Sequence, residues 1–400
     1  MLTLGHNNDT GGPVGLSPRS LLRHSLVLGG SGSGKTYLCK VMVEEAVKAG
    51  IPVIILDPQG DLASLGVVDK AGPYFDKIDL CIWTPGSSLG NQLSLCPVFD
   101  VPAGISEEDR IRAFGGLATS IASITGQTSQ EAVSAFCQIL EWADENGYWI
   151  ENLTDFRDWL EVMPAPLERK ICTLLSNKMR ELAIKRLDAI SMGPDRMLFQ
   201  GSPINIATML GHDDTREPGR TRVSVVYLNT LQDQEDKEHF VGVMAGALYQ
   251  YMLRNPTPGT LQGILYIDEF AAYLPPLNVK KPASKDPLML LLRQARKYGF
   301  GLQLATQSPG DLDYKGLDQI GTCIFGRLQS EQALAKIEPL VQSMQGMDGD
   351  KIMATIPGLE CGQFLLASPD NYQGAVNFRG RKIESKHYIV PAQDIPSLIE

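Results

Sequence analysis

The sequence lacks the features of several specialised protein classes. Its 400 residues include only five histidines and seven cysteines, with no C-x-x-C pair, and 7% of the residues are aromatic. The histidines are too dispersed for a metal site, and an odd number of scattered cysteines is typical of reduced intracellular thiols. We therefore predict neither a structural zinc site nor a disulfide-stabilised secreted domain.

Long hydrophobic runs are also missing. A membrane-spanning helix needs about 20 consecutive apolar residues, and even the apolar run that ends at Asp268 has only the length of a strand. Residues 1–23 are polar and rich in glycine, without the charged start and apolar stretch of a secretory signal. We therefore expect a cytoplasmic protein without membrane insertion.

Basic residues are in the minority, because 36 Lys and Arg stand against 46 Asp and Glu, for a net charge of −10. This balance argues against a histone-like protein, and a polyanionic partner would have to bind a local basic patch. With 43% apolar residues the chain is typical of a folded globular protein. Its length permits one large α/β domain with an insertion, or two domains.

The order of apolar runs predicts an α/β fold. Ser25–Leu28 predicts a strand, a glycine-rich loop follows, and Tyr37–Ala49 has helical periodicity before a second strand at Ile51–Leu56. Five later apolar runs lack polar alternation, as strands buried on both faces do. They are Val223–Leu228, Gly263–Ile267, Gly301–Ala305, Cys323–Phe325 and Phe364–Ala367. We therefore predict a mostly parallel sheet.

A helical region interrupts this pattern. Ile105–Ile190 predicts several amphipathic helices, for example over Ala132–Ala143 and over Leu167–Leu187. The predicted organisation is an N-terminal arm over residues 1–20, a first part of the core over 21–100, a helical insertion over 101–200 and a second part of the core with the C-terminal segment over 201–400. The stretch Leu277–Pro287, rich in lysine and proline, predicts an exposed loop.

The glycine-rich loop has the spacing of a phosphate-binding P-loop, G-x-x-x-x-G-K-[ST]. Its backbone N–H groups would surround phosphate oxygens at the start of the helix. Lys35 would hold the β- and γ-phosphates and Thr36 would present its hydroxyl to Mg²⁺. The candidate nucleotide-binding residues are Gly29, Gly30, Ser31, Gly32, Ser33, Gly34, Lys35, Thr36 and Asp57.

Two later strands end in polar side chains suited to nucleotide hydrolysis. The run Gly263–Ile267 is followed by Asp268, a candidate Mg²⁺ ligand, and by Glu269, which can polarise water for attack on the γ-phosphate. After the strand of residues 301–305, Gln307 is a candidate sensor of the γ-phosphate or of the attacking water, although a glutamine in this place is also a common loop residue.

Taken together, these motifs resemble the HerA/FtsK superfamily of ring-forming, DNA-pumping ATPases, and most closely the HerA-type helicases. The resemblance includes the P-loop, the acidic loop from Asp57 to Asp61, the Asp268–Glu269 pair, the segment Arg293–Gly299 and the Ala305–Gln307 strand end. It implies a RecA-like P-loop fold, ATP and Mg²⁺ as cofactors, and a homo-oligomeric ring, expected to be a hexamer.

The resemblance also implies partners and a further catalytic group. Arg293 or Arg296 would be the arginine finger, which in trans accelerates hydrolysis by about 10³–10⁵; each could instead lie on a solvated helix face or contact DNA. Double-stranded DNA and a nuclease or other effector are the implied partners. Gln59 replaces the Lys or His frequent in the family, and only about twenty residues stand where HerA carries a barrel domain.

Two basic sets are candidate DNA contacts, or solubilising surfaces. One set is Lys280, Lys281 and Lys285; the other is Arg169, Lys170, Lys178, Arg180, Lys185 and Arg186. Two other functions remain open: an ATPase of a conjugation or secretion machine, and an ATP-dependent scaffold of a defence complex. DNA-stimulated turnover would favour a translocating motor over both.

Overall fold

The computed structural model describes residues 1–67, 72, 74–193, 195–276, 281–309 and 314–399. Strands and helices alternate through most of this part of the chain. The strands are β1 Leu2–Asn7, β2 Pro13–Leu16, β3 Ser25–Leu28, β4 Val53–Asp57, β5 Ile78–Pro85, β6 Asn91–Leu93, β7 Thr221–Tyr227, β8 Gly263–Ile267, β9 Phe300–Thr306, β10 Thr322–Phe325, β11 Gln363–Ala367 and β12 Val376–Gly380.

The α-helices fall into a group between β6 and β7 and others that connect the remaining strands. They are α1 Lys35–Lys48, α2 Glu107–Thr125, α3 Gln130–Glu145, α4 Leu153–Glu161, α5 Ala165–Ile171, α6 Asn177–Met192, α7 Arg196–Phe199, α8 Ile206–Leu210, α9 Gln234–Arg254, α10 Lys285–Gln294, α11 Glu331–Ser343, α12 Gly349–Thr355 and α13 Pro396–Ile399. No helix within the described residues is long and apolar enough to cross a lipid bilayer.

All these strands form one sheet, in the order β2-β1-β12-β11-β10-β3-β9-β8-β4-β7-β5-β6. From β10 to β6 in this order, every neighbouring pair is parallel. Each residue of β3, β4, β7, β8 and β9 is buried. The mostly parallel sheet predicted from the unbroken apolar runs is confirmed, since these strands are covered on both faces.

The other end of the sheet is antiparallel. β11 pairs antiparallel with β10, β12 with β11, and β1 with both β12 and β2. The polar, glycine-rich start of the chain therefore contributes two strands, and these were not anticipated because the alternation in residues 2–7 is short and interrupted. The apolar run at residues 364–367 is a strand as predicted, although its direction is reversed.

Alternate residues of the central strands enter two separate cores. On β3, Leu26 and Leu28 pack into the core that contains α9 and α10, whereas Val27 packs into the core that contains α1. Because strand side chains alternate between faces, one helical layer covers each side of the sheet. The carboxyl ends of the parallel strands therefore remain available at one edge.

The helices between β6 and β7 have a core of their own, built from α2 to α6. α2 is capped at its start by the hydroxyl of Ser106 and at its end by Gly126, whose φ is 68°. The continuous helix predicted over Leu167–Leu187 is wrong: α5 ends at Ile171, and α6 begins at Asn177 after the cap Ser176. An N-cap hydroxyl is favoured at a helix start, so the chain begins a new helix there.

Candidate nucleotide site

The P-loop connects β3 to α1 at the carboxyl edge of the sheet. Gly32 and Gly34 have φ of 73° and 93°, left-handed values that side chains with a Cβ rarely adopt. A Cβ on Gly34 would also lie 3.3 Å from the backbone nitrogen of Gly362. The hydroxyl of Ser33 is buried and has no hydrogen-bond partner among the described residues. The two glycines therefore permit both the left-handed backbone of this loop and its close approach to Gly362.

Lys35 points from the start of α1 towards the end of β8. Its Nζ lies 3.1 Å from Oδ1 of Asp268 and 2.7 Å from Oε1 of Glu269, and its side chain is only 4% exposed. Burial would lower the pKa of Lys35, but these two negative charges outweigh it and the pKa is raised. The lysine is therefore charged and held between two carboxylates that lie two strands away.

Glu269 is the second residue after β8, next to Asp268, and has a strained backbone conformation, with φ 44° and ψ 43°. Its Oε1 accepts a hydrogen bond from Nε2 of Gln307 (2.8 Å), and its Oε2 accepts from the backbone N–H of Gln307 (3.0 Å) and the hydroxyl of Thr306 (3.3 Å). Burial would raise the pKa of Glu269, but Lys35 and these donors lower it. The result is an ionised carboxylate in a fixed orientation, as a general base requires.

Asp268 lies in a different environment from its neighbour. It is 1% exposed, its Oδ1 accepts from the hydroxyl of Tyr266 at 3.0 Å, and its Oδ2 has no partner within the described part of the chain. Burial raises its pKa above the ordinary value despite Lys35. A buried carboxylate oxygen without a hydrogen-bond donor is a suitable ligand for a divalent cation. Thr36, the candidate second ligand, follows Lys35 in the first turn of α1.

Asp57 ends β4 and is completely buried. Its oxygens accept backbone N–H bonds from Gln59, Gly60, Leu62 and Ala63 at 2.7 to 3.3 Å. Burial, followed by the charge of Asp268, raises its pKa to about 6 in spite of these bonds. Asp57 therefore shapes the loop after β4, and its contact with a nucleotide stays a prediction.

The two arginines proposed as fingers lie on the other edge of the sheet. Arg293 is in the last turn of α10 and Arg296 is in the 3₁₀ turn that precedes β9, whereas the P-loop follows the end of β3. Both side chains are exposed, and neither forms an ion pair within the described ranges. They do not reach the P-loop of their own chain, so a catalytic role in either stays a prediction that requires a neighbouring subunit.

The two basic sets lie in different parts of the chain, and contact of either set with DNA stays a prediction. Lys280 lies outside the described residues; Lys281 is exposed and pairs with Asp286. The prediction of an exposed loop is wrong at Lys285, which begins α10, is 3% exposed and donates to the carbonyl of Pro275. The second set lies on α5 and α6, where Arg180 and Arg186 pair with acidic residues at 2.9 and 3.2 Å.

Reasoning from the sequence missed two residues of the cluster. Tyr266 lies within β8, where an aromatic residue suggests only core packing, and Thr306 ends β9 beside the predicted sensor Gln307. The position of Thr306 immediately after the apolar part of a strand was the available signal.

A cavity of about 680 Å³ lies away from this cluster, between α2, α9 and the start of α10. The candidate nucleotide site is therefore identified by the arrangement of the P-loop and the carboxylates and not by the size of a cavity.

The first part of the chain matches a known protein family. The model of the central domain of the helicase HerA matches residues 2–86, from β1 through the P-loop to β5. This match confirms the resemblance to HerA over that stretch of the chain. The match includes the two N-terminal strands that the sequence pattern did not predict. No curated protein shows significant sequence similarity to the chain.

Solved structures share the fold. VirB4 of Thermoanaerobacter pseudethanolicus superimposes with a TM-score of 0.64 at 14% identity, over 95% of this chain and 96% of that one. The plasmid coupling protein TrwB, in complex with a non-hydrolysable ATP analogue, gives a TM-score of 0.59 at 16% identity, over 97% and 92% of the two chains. At such identities the likeness concerns the fold, and the predicted P-loop NTPase fold is confirmed.

Proposed function

We propose that this protein binds Mg²⁺-ATP at the P-loop and hydrolyses it. The contact of Lys35 with Asp268 and Glu269, together with the two hydrogen bonds that Gln307 donates to Glu269, carries the proposal. These residues come from three segments far apart in sequence and meet at the carboxyl edge, where ligands bind to parallel sheets. TrwB, of the same fold, has been solved with ADP and Mg²⁺.

Each residue of the cluster has a distinct chemical task. Thr36 and Asp268 would hold Mg²⁺, which neutralises charge on the phosphates. Lys35 exchanges its contact with Glu269 for the β- and γ-phosphate oxygens. Glu269, released from the lysine but still held by Gln307, accepts a proton from the attacking water. Lys35 and Gln307 lower the pKa of Glu269 in the nucleotide-free site, and after the lysine leaves, the ordinary pKa of a glutamate still leaves the carboxylate ionised at neutral pH.

We further propose that the protein works as a homo-oligomeric ring, with six subunits expected, that translocates double-stranded DNA. Support comes from the HerA match and from Arg293 and Arg296, exposed cations remote from the P-loop of their own chain. In a head-to-tail ring, one of them would reach the γ-phosphate of the neighbouring subunit. A nuclease or other effector would receive the DNA.

The test is ATP turnover by the purified protein over a concentration series, with and without linear double-stranded DNA, together with the mass in solution. Turnover that rises with assembly and again with DNA supports the motor. Turnover that depends on assembly but is indifferent to DNA contradicts translocation and favours the conjugation, secretion or scaffold alternatives. Absence of nucleotide binding would contradict the whole proposal.

A further inference from the structure

Arg379 lies at the same edge of the sheet as the P-loop. β11 is antiparallel to β10 and β12 is antiparallel to β11, so β12 runs in the direction of β3 and ends beside the P-loop edge. Arg379 is the last residue but one of β12. No part of the P-loop motif indicated it, because nearly 350 residues separate the two in sequence.

The backbone before β11 connects Arg379 to the P-loop. The N–H of Gly362 donates to the carbonyl of Ser33 at 3.0 Å, and the N–H of Gly380 donates to the carbonyl of Gly362 at 3.1 Å. Nη1 of Arg379 lies 3.9 Å from the Cβ that a side chain at residue 362 would have. The backbone at Gly362 therefore lies between the guanidinium of Arg379 and the P-loop at the start of α1.

Arg379 forms an exposed ion pair with Glu360. Its Nη2 lies 2.8 Å from Oε2 of Glu360, and the two side chains are 53% and 70% exposed. An ion pair this exposed contributes little, so a stronger anion can replace the carboxylate. A guanidinium binds phosphate with two parallel N–H bonds, which makes a nucleotide phosphate such an anion.

The order of strands in the sheet determines which phosphates of a nucleotide bound at the P-loop Arg379 can contact. The contacts of Lys35 with the carboxylates after β8, and of Gln307 after β9, mark the γ-phosphate side of the P-loop. β10, β11 and β12 lie on the other side of β3. Arg379 approaches from there, which is the side of the α- and β-phosphates.

We propose that Arg379 is a nucleotide-binding residue that contacts the α- or β-phosphate, and that Glu360 holds it while the site is empty. This inference rests on the proposed nucleotide site. Because ADP and ATP share these two phosphates, the arginine strengthens the binding of both by the same factor. Its contribution is to affinity rather than to the hydrolytic step.

The experiment is calorimetric titration of the full-length protein with ADP and with a non-hydrolysable ATP analogue, in the presence of Mg²⁺. Arg379→Ala should weaken both ligands by at least about tenfold, the effect of one lost charge-assisted hydrogen bond. Arg379→Lys should recover part of the loss. Glu360→Gln should tighten both ligands, because the arginine loses its competing carboxylate.

Arg23 and Asp370 supply a matched control. They form an ion pair of the same length, 2.8 Å, with exposures of 43% and 34%. Arg23 precedes β3 and Asp370 follows the antiparallel β11, so the pair lies at the opposite edge of the sheet. Arg23→Ala and Asp370→Asn should leave both affinities unchanged. Since all four side chains are exposed, far-UV circular dichroism should show native folding in every variant.

Three results would overturn the inference. Arg379→Ala could bind ADP within twofold of the wild type, it could weaken the ATP analogue alone, or Arg23→Ala could weaken binding to the same extent. These outcomes leave the proposed function standing if Lys35→Ala still abolishes binding. A wild-type protein that binds neither ligand would instead refute the nucleotide site itself, and the role of Arg379 with it.

Discussion

Replacing Glu269 by glutamine removes the proposed general base and also disturbs the hydrogen bonds around it. Four donor contacts meet this carboxylate: Lys35 Nζ and Gln307 Nε2 at Oε1, and the Gln307 N–H and the Thr306 hydroxyl at Oε2. A glutamine amide has one acceptor oxygen, so its NH₂ group must face donors on one side. The variant therefore keeps the shape of the side chain but loses both the basicity and half of the acceptors.

The expected magnitude follows from the role of the group. A positioned general base contributes about 10²–10⁴ in rate, equivalent to roughly 3–5 kcal/mol of transition-state stabilisation. Binding of ATP should not weaken, because Lys35 loses a carboxylate that competes with the phosphates. The mispaired donors should lower the free energy of unfolding by about 1–3 kcal/mol in the nucleotide-free protein.

The assay is single-turnover hydrolysis of ATP with Mg²⁺ and excess protein, beside equilibrium binding of ATP to the same variant. Gln307→Ala serves as the comparison, because it leaves the carboxylate in place and removes only the side-chain donor; its hydrolysis rate should fall less. A Glu269→Gln rate within tenfold of the wild type would refute the role of Glu269 as base, provided that the variant binds ATP.

The remaining predictions concern the lysine, the fingers and two buried histidines. Lys35→Ala should abolish nucleotide binding but keep a native circular dichroism spectrum, with a lower Tm because two carboxylates lose their cation; an unfolded variant would count against the assignment. Replacing the true finger, Arg293 or Arg296, by alanine should suppress ATP turnover in mixed rings with wild-type subunits, and normal turnover in both variants would exclude this role. Burial lowers the pKa of His24 and His239 to about 4, so between pH 4 and about 6.5 the unfolded chain binds more protons than the folded one. Stability should therefore fall as the pH falls through this window, by at most about 1.4 kcal/mol per pH unit for each histidine, and a urea-unfolding series of His239→Gln should show a shallower dependence than the wild type.

The sequence alone was enough for the part of the fold that depends on local pattern. The glycines of the P-loop motif predicted the backbone of the loop, because glycine adopts left-handed φ values such as those of Gly32 and Gly34 without strain. Unbroken apolar runs predicted the central parallel strands, since strands covered on both faces lack polar alternation. The positions of Asp268 and Gln307 after such runs were sufficient to propose a cluster at one edge.

Tertiary structure alone decided how distant segments meet. The pairing of β1 with β12 joins the two ends of the chain, which no window of sequence contains. These strands bring Arg379 towards the P-loop, just as the parallel register brings Thr306 to Glu269. The burial of Lys285 was equally hidden, because the charge of a lysine predicts exposure unless a carbonyl such as that of Pro275 is placed to receive it.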